Sequence, residues 1–163
     1  KRNSSSFIEY KCMAIEDFDF QPETYDIVIS SLTFHYLESF INICRKVSSC
    51  LTKGGSFVFS VEHPIFTAYG NQDWHYDQDG KRAHWPVDRY FNEGKRTTVF
   101  LGEEVVKYHK TLTTYINSLL QTEFEICELI EPEPSKIMLD TIPEMKDELR
   151  RPMMLLISAK KKS

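Results

Sequence analysis

Histidine and carboxylate groups beside apolar runs are the first residues in this chain that could do chemistry. Glu62-His63-Pro64 follows the apolar run Ser56 to Val61. Tyr108-His109-Lys110-Thr111 follows a second run, and Glu16-Asp17-Phe18-Asp19 makes an acidic stretch. A histidine can take or give a proton near neutral pH, so His63 and His109 are candidate bases or hydrogen-bonded scaffold. Cys12, Cys44, Cys50 and Cys127 are scattered, with no Cys-x-x-Cys pair and no neighbouring histidine. That spacing speaks against a zinc site, and we expect no metal and reduced thiols, as in a cytoplasmic protein.

The elements that must position these groups follow from pattern. Phe7 to Met13 alternates and predicts a strand. Tyr25 to Ser31 has a continuous Ile27-Val28-Ile29 centre, which predicts a strand covered on both faces. Phe40 to Leu51 places Ile41, Cys44, Val47, Cys50 and Leu51 at helical spacing, and Lys53-Gly54-Gly55 predicts the helix cap. Ser56 to Val61 predicts a buried strand. A hairpin is expected around Leu101-Gly102-Glu103, then a helix over 112–120, a strand over 124–130, an exit loop at Glu131-Pro132-Glu133-Pro134 and a weak helix over 142–149. Met153 to Ala159 predicts a last strand before a solvated lysine tail. The alternation of strand and helix predicts an α/β fold with a parallel sheet. Ligands in such folds bind outside the carboxyl ends of the strands, here near Ala14 to Asp17, Ser30 to Leu32 and Glu62 to Pro64.

Composition narrows the function classes. The 163 residues are 41% hydrophobic and 13% aromatic, rich enough for a packed core or an aromatic-lined pocket. A net charge of −4 argues against nucleic acid as the main partner. No apolar run approaches the roughly 20 residues that cross a bilayer, so no membrane partner is expected.

The run AIEDFDFQPETYDIVISSLTFHYLESFINICRKVSSCLTKGGSFVFSVEHP resembles class I S-adenosylmethionine-dependent methyltransferases. It carries an acidic loop, an aromatic-Asp-x-Val strand, a helix, a Lys-x-Gly-Gly turn and an apolar strand in that order. KYHKTLTTYINSLL, EPEP and RRPMMLLISAKK resemble the closing half of small-molecule members. The resemblance implies a Rossmann-like methyltransferase sheet, of order 3-2-1-4-5-7-6 in the full family. It implies S-adenosyl-L-methionine as cofactor and a small-molecule acceptor. The glycine-rich cofactor loop has no counterpart, because Gly54-Gly55 follows a helix, and the ribose-binding acidic residue is also without one. The expectation is therefore a single partial domain over 1–163, without strands 1 and 2, starting at the third strand. Residues 65–110 form a substrate-cap insertion after strand 5.

By the same resemblance, Ala14, Ile15 and Glu16 fall at the adenine-contacting segment. Ser30, Ser31, Leu32 and His35 fall beside the methionine end. A serine pair after a strand also suits a helix N-cap, and His35 also suits the core. Tyr36, Glu62, Trp85, Tyr90 and Tyr115 are expected on the acceptor side, with His63 the first candidate base and His109 the second. Removal of strands 1 and 2 would leave the Tyr25–Ser31 edge open, which implies re-pairing or a homodimer through that edge. A catalytically inactive binding or regulatory subunit is the alternative. A nicotinamide oxidoreductase ranks last, since neither its glycine fingerprint nor a Tyr-x-x-x-Lys pair is present.

Overall fold

Four strands form the central sheet of the computed structural model, which describes residues 7–163. In chain order they are β1 (Tyr25–Ser31), β2 (Leu51–Glu62), β7 (Phe124–Ile130) and β8 (Met154–Lys161), arranged β1-β2-β8-β7. β1 and β2 are parallel, and β8 runs antiparallel to both β2 and β7. This is the arrangement expected of the family's strands 4, 5, 7 and 6. Two small hairpins lie outside the sheet: β3 (His75–Tyr76) with β4 (Arg82–His84), and β5 (Gly94–Phe100) with β6 (Glu103–His109).

The helix α1 (Phe40–Cys50) forms where the apolar spacing predicts it. Phe40, Ile43, Cys44 and Val47 recur at three and four residues, so they share one face. That face packs, with Tyr115 and Leu119 of α3 (Leu112–Leu120), onto Phe57, Phe59 and Val61 of β2 and Leu155, Ile157 and Ala159 of β8. Phe34 joins Phe40, Phe57 and Phe59, with ring centroids 5.6–5.8 Å from its own. Each such phenyl contributes roughly 1.5–3 kcal/mol by leaving water.

Several expectations are corrected. Phe7 to Met13 is not a strand: only Ile8 makes a bridge, and Phe7 and Tyr10 are exposed. Alternation there gains nothing without a ladder to pair with. β1 is not covered on both faces; Ile27 and Ile29 are 59% and 74% exposed. Burial in β2 and β8 alternates, because α1 and α3 cover one face of the sheet. Gly54-Gly55 does not cap α1, which ends at Cys50 with Leu51 already extended and paired with Tyr25. Instead the pair lies inside β2, where the register with β1 shifts. Gly54 has φ +74°, and a Cβ on Gly55 would meet the Thr52 and Asp26 carbonyls at 2.9 and 3.1 Å.

The lysine tail is also corrected, since Lys160 and Lys161 belong to β8 and pair with β7. The weak helix expected over 142–149 is present only as α5 (Met145–Glu148), and an unexpected α4 (Lys136–Thr141) precedes it, with Pro143 between them. The 101–103 hairpin is present. Leu101 and Gly102 form a two-residue connection with both φ positive, the pattern that matches the twist of paired strands. The short α2 (Pro64–Thr67) follows β2 directly. No helix among the described residues is long and apolar enough to cross a membrane.

Candidate functional site

The carboxyl ends of the parallel strands β1 and β2 bring three predicted residues together. A 3-10 turn over Phe34–Tyr36 follows β1, and its Phe34 anchors in the core while His35 and Tyr36 project beside the end of β2. His35 is 2% exposed, and its Nδ1 accepts the Glu62 backbone N–H at 3.3 Å. Its ring stands 4.4 Å from the Tyr36 ring. Burial lowers the His35 pKa from 6.5 to about 4; Glu62 opposes this, while Lys107 and Lys110 add to it. The imidazole is neutral at pH 7 and fixes the turn to β2. Tyr36 keeps 37% of its surface exposed, and burial and then Glu62 raise its phenol.

Glu62 closes an ionic triangle. Lys107 Nζ donates to Glu62 Oε1 at 2.5 Å and to Gln72 Oε1 at 2.8 Å; Gln72 Nε2 donates to Glu62 Oε2 at 2.6 Å. Lys107 has 2% of its side chain exposed, and Glu62 15%. The ammonium also lies 5.9 Å from the Tyr36 ring and 5.4 Å from that of Phe100. Both charges are thus paired and hydrogen-bonded, as a buried ion pair requires. The arrangement holds a carboxylate, an ammonium and a half-exposed phenol within one small region.

Lys107, Gln72 and Phe100 were absent from the sequence expectations. A signal for Lys107 existed: within β6 it shares a face with Val105 and His109, the more buried face of that strand. Gln72, with φ +55°, lies in an irregular loop that offers no periodic signal.

Both nitrogens of His109, the second candidate base, are engaged, whereas His63, the first, is engaged by hydrogen bonding at Nδ1. His109 is fully buried, with Nδ1 2.8 Å from Thr67 Oγ1 and Nε2 2.8 Å from the Tyr90 carbonyl. Nε2–H donates to that carbonyl, so Nδ1 accepts the threonine hydroxyl, and neither nitrogen is left for a substrate. Burial lowers its pKa. His63 caps α2, its Nδ1 accepting the Ile65 N–H at 3.1 Å, while Nε2 meets Glu131 Oε1 at 2.8 Å. Burial lowers its pKa against the opposing effect of Glu131.

Three expected acceptor contacts also lie elsewhere. Tyr115 is 2% exposed and stacks edge-on to Phe40 in the core. Tyr90 accepts the Leu112 N–H on its hydroxyl at 3.0 Å and packs on His109. Trp85 belongs to a separate aromatic cluster with Phe66 and Trp74. Lys110, itself buried, donates to the Leu37 and Tyr108 carbonyls, and burial lowers its pKa to about 8.

The residues assigned to the cofactor form two separate parts. Ile15–Asp17 make a 3-10 turn with Glu16 exposed and its carbonyl held by Lys46 Nζ at 3.0 Å. Ser30, Ser31 and Leu32 close β1, with the Leu32 N–H on the Ser60 carbonyl at 2.9 Å and φ +51°. The serines do not cap a helix; the Ser31 carbonyl accepts the Thr33 hydroxyl. A groove of about 590 Å³ lies on the open side of β1, lined by Ile15, Phe18, Phe20, Tyr25, Ile27 and Val28. It does not reach Ser30–Leu32. These residues fit part of a nucleoside site, an acidic side chain and an apolar wall at Ile15. The family's glycine-rich cofactor loop is not among them.

A family model and two solved structures point to one family. A family model described as a methyltransferase domain matches residues 1–59. A solved structure of a candidate S-adenosylmethionine-dependent methyltransferase from Listeria monocytogenes is 55% identical. It superposes with a TM-score of 0.93 over 99% of this chain and 72% of its own. An S-adenosylmethionine-dependent methyltransferase from Mesorhizobium loti is 38% identical, with a TM-score of 0.88 over 98% and 73%. An uncharacterized protein of Haemophilus influenzae is 32% identical over 155 residues; the match spans 91% of this chain and 59% of that relative's length. The sheet order, the strand-end constellation and these likenesses coincide: the chain belongs to the S-adenosylmethionine-dependent methyltransferases.

Proposed function

We propose that this chain carries the acceptor side of an enzyme that methylates a small molecule. The supporting observation is the Glu62–Lys107–Gln72 triangle beside Tyr36 at the carboxyl end of β2. S-adenosylmethionine supplies an electrophilic methyl group on a sulfonium. Ser30, Ser31, Leu32 and Glu16 are the residues here that would meet it. The remaining task is to align a nucleophile and exclude water. Tyr36 offers a ring face and a phenol for the acceptor. Glu62 is fixed by two donors and takes the proton that a hydroxyl or amine acceptor loses. Each Glu62 oxygen accepts one hydrogen bond and keeps a second lone pair for that proton, whereas each His109 nitrogen has a single site and both are engaged. The acidic net charge and the confined triangle favour a small acceptor over a nucleic acid.

The test is methyl transfer from labelled S-adenosylmethionine by the intact protein across a metabolite panel. Glu62→Gln should lower kcat about 10²-fold or more, in the range of a lost general base. The double variant Glu62→Gln with Lys107→Gln removes both charges and should regain stability without regaining turnover. Turnover restored in the double variant would assign the triangle to the scaffold. Cofactor binding with no transfer to any acceptor would favour the inactive, regulatory reading.

A further inference from the structure

A second pocket lies on the flank of the 65–110 segment, built from groups that the methyl-transfer reading does not use. Phe66 of α2 stacks on Trp85 at 4.9 Å and 14°, and Trp74 meets Trp85 edge-on at 5.3 Å and 85°. Two consecutive arginines enter this cluster from the segment before β8. The Arg151 guanidinium lies 4.3 Å from the Trp85 centroid, 4.9 Å from Phe66 and 5.4 Å from Trp74. That of Arg150 lies 4.6 Å from Trp74. A planar cation against several aromatic faces is both attracted and held in one orientation.

The guanidiniums are fixed from behind. Arg151 donates both terminal nitrogens to Glu148, and Arg150 donates to Asp147 and to the Arg82 and Ala83 carbonyls. Their front borders a cavity of about 360 Å³ lined by Trp74, His84, Trp85, Val87, Arg150 and Arg151, with Ile65 and Pro152. Two arginines and a histidine stand in its wall, and no carboxylate does. The carboxylates Glu131, Glu133 and Glu148 line a different cavity, which shares Arg150, Arg151 and Pro152 with this one. Arg151 is 7% exposed, yet its Nε–H has no acceptor among the described residues. The volume lies at the lower end of small-molecule pockets.

We propose that this pocket binds a small planar aromatic carboxylate: the ring lies against Trp74 and Trp85, and the carboxylate meets the Arg150–His84 wall. The site is independent of the acceptor site at Glu62, so it stands or falls without the methyl-transfer reading.

Trp74 and Trp85 are the two tryptophans of this chain, and both line the pocket. Their indole N–H signals in a nitrogen-15 correlation spectrum of the intact protein therefore report on it directly. Titration with benzoate should shift both signals saturably, and benzamide, of the same shape without the charge, should bind at least tenfold more weakly. Equal affinity for the two, or no saturable shift with benzoate, overturns the proposal. Val87 is 50% exposed, so Val87→Glu tolerates the fold while placing a carboxylate in the wall. It should weaken benzoate at least tenfold with the rest of the spectrum retained. Unchanged benzoate affinity in that folded variant would also overturn the proposal.

Discussion

The sheet with its two helices and the segment from 65 to 110 are held together by different forces. In the first, Phe34, Phe40, Phe57, Phe59 and Phe124 pack ring to ring, and the buried positions recur at the periods of helix and strand. In the second, single polar contacts reach across long stretches of sequence. Lys107 meets Glu62, Thr67 meets His109, and Arg96 donates from Nε to the Ala68 carbonyl at 3.0 Å. Apolar packing is distributed over many contacts and tolerates one imperfect neighbour. A buried charge or imidazole depends on one or two partners, and removal of either leaves the other unsatisfied. The second region is therefore the one more sensitive to single charge changes, and it supplies Gln72 and Lys107 to the proposed acceptor site.

The largest effect should come from the first region. Phe57→Ala opens a cavity at the centre of the phenyl cluster and should cost about 3–5 kcal/mol in chemical denaturation, with loss across the whole transition. A loss below about 1 kcal/mol would show that this cluster is not the main source of stability.

Lys107→Met comes next. It leaves Glu62 with Gln72 alone, and should destabilise by about 3 kcal/mol. The neutral pair Glu62→Gln with Lys107→Gln should recover most of that loss. A double variant no better than Lys107→Met would break the contrast, because packing of the lysine stem would then explain the cost.

The response to acid has one sign and falls on three buried histidines, of which only His109 lies in the 65–110 segment. His35 has a folded pKa of about 4 against 6.5 unfolded, so the unfolded chain binds the proton more tightly between those values. Its stabilising contribution is present above pH 6.5 and is lost as pH falls toward 4, by roughly 2–3 kcal/mol. His63 and His109, also lowered, act in the same direction. His35→Gln should flatten the stability profile between pH 4 and 6.5; an unchanged slope would remove His35 as its source. The smallest effect should be Tyr90→Phe, which removes the acceptor of the Leu112 N–H and should cost about 1 kcal/mol by denaturation. A cost above about 3 kcal/mol would show that Tyr90 organises more of the second region than this one bond.

The same division decides what could be read in the sequence. Helix α1, the strand at 124–130, the hairpin turn at Leu101-Gly102 and the parallel pair β1–β2 all follow local periodicity or turn chemistry. The Lys53-Gly54-Gly55 segment was misleading because a positive-φ glycine serves a strand irregularity as well as a helix end. Ile27-Val28-Ile29 predicts a strand but not which of its faces is covered, since that depends on neighbours remote in sequence. At the site, Glu62 was legible because it stands at a strand end, and His35 and Tyr36 because they match the family resemblance. The partners Gln72 and Lys107 were not, since they come from loop and hairpin positions 10 and 45 residues from Glu62. His109 was legible as a residue able to carry a proton, but its two contacts with Thr67 and Tyr90 are tertiary.

The central claim, that Glu62 serves the acceptor in a methyl transfer, is tested most directly by one side-by-side measurement. Intact wild-type protein, Glu62→Gln and the Glu62→Gln, Lys107→Gln double variant are each given labelled S-adenosylmethionine and the same metabolite panel, with folding checked by thermal denaturation. The account predicts label transfer to a small molecule by the wild type, a fall of about 10²-fold or more in both variants, and near wild-type stability in the double variant. Transfer at the wild-type rate by either variant, or a wild type that binds the cofactor and methylates none of the panel, would contradict it.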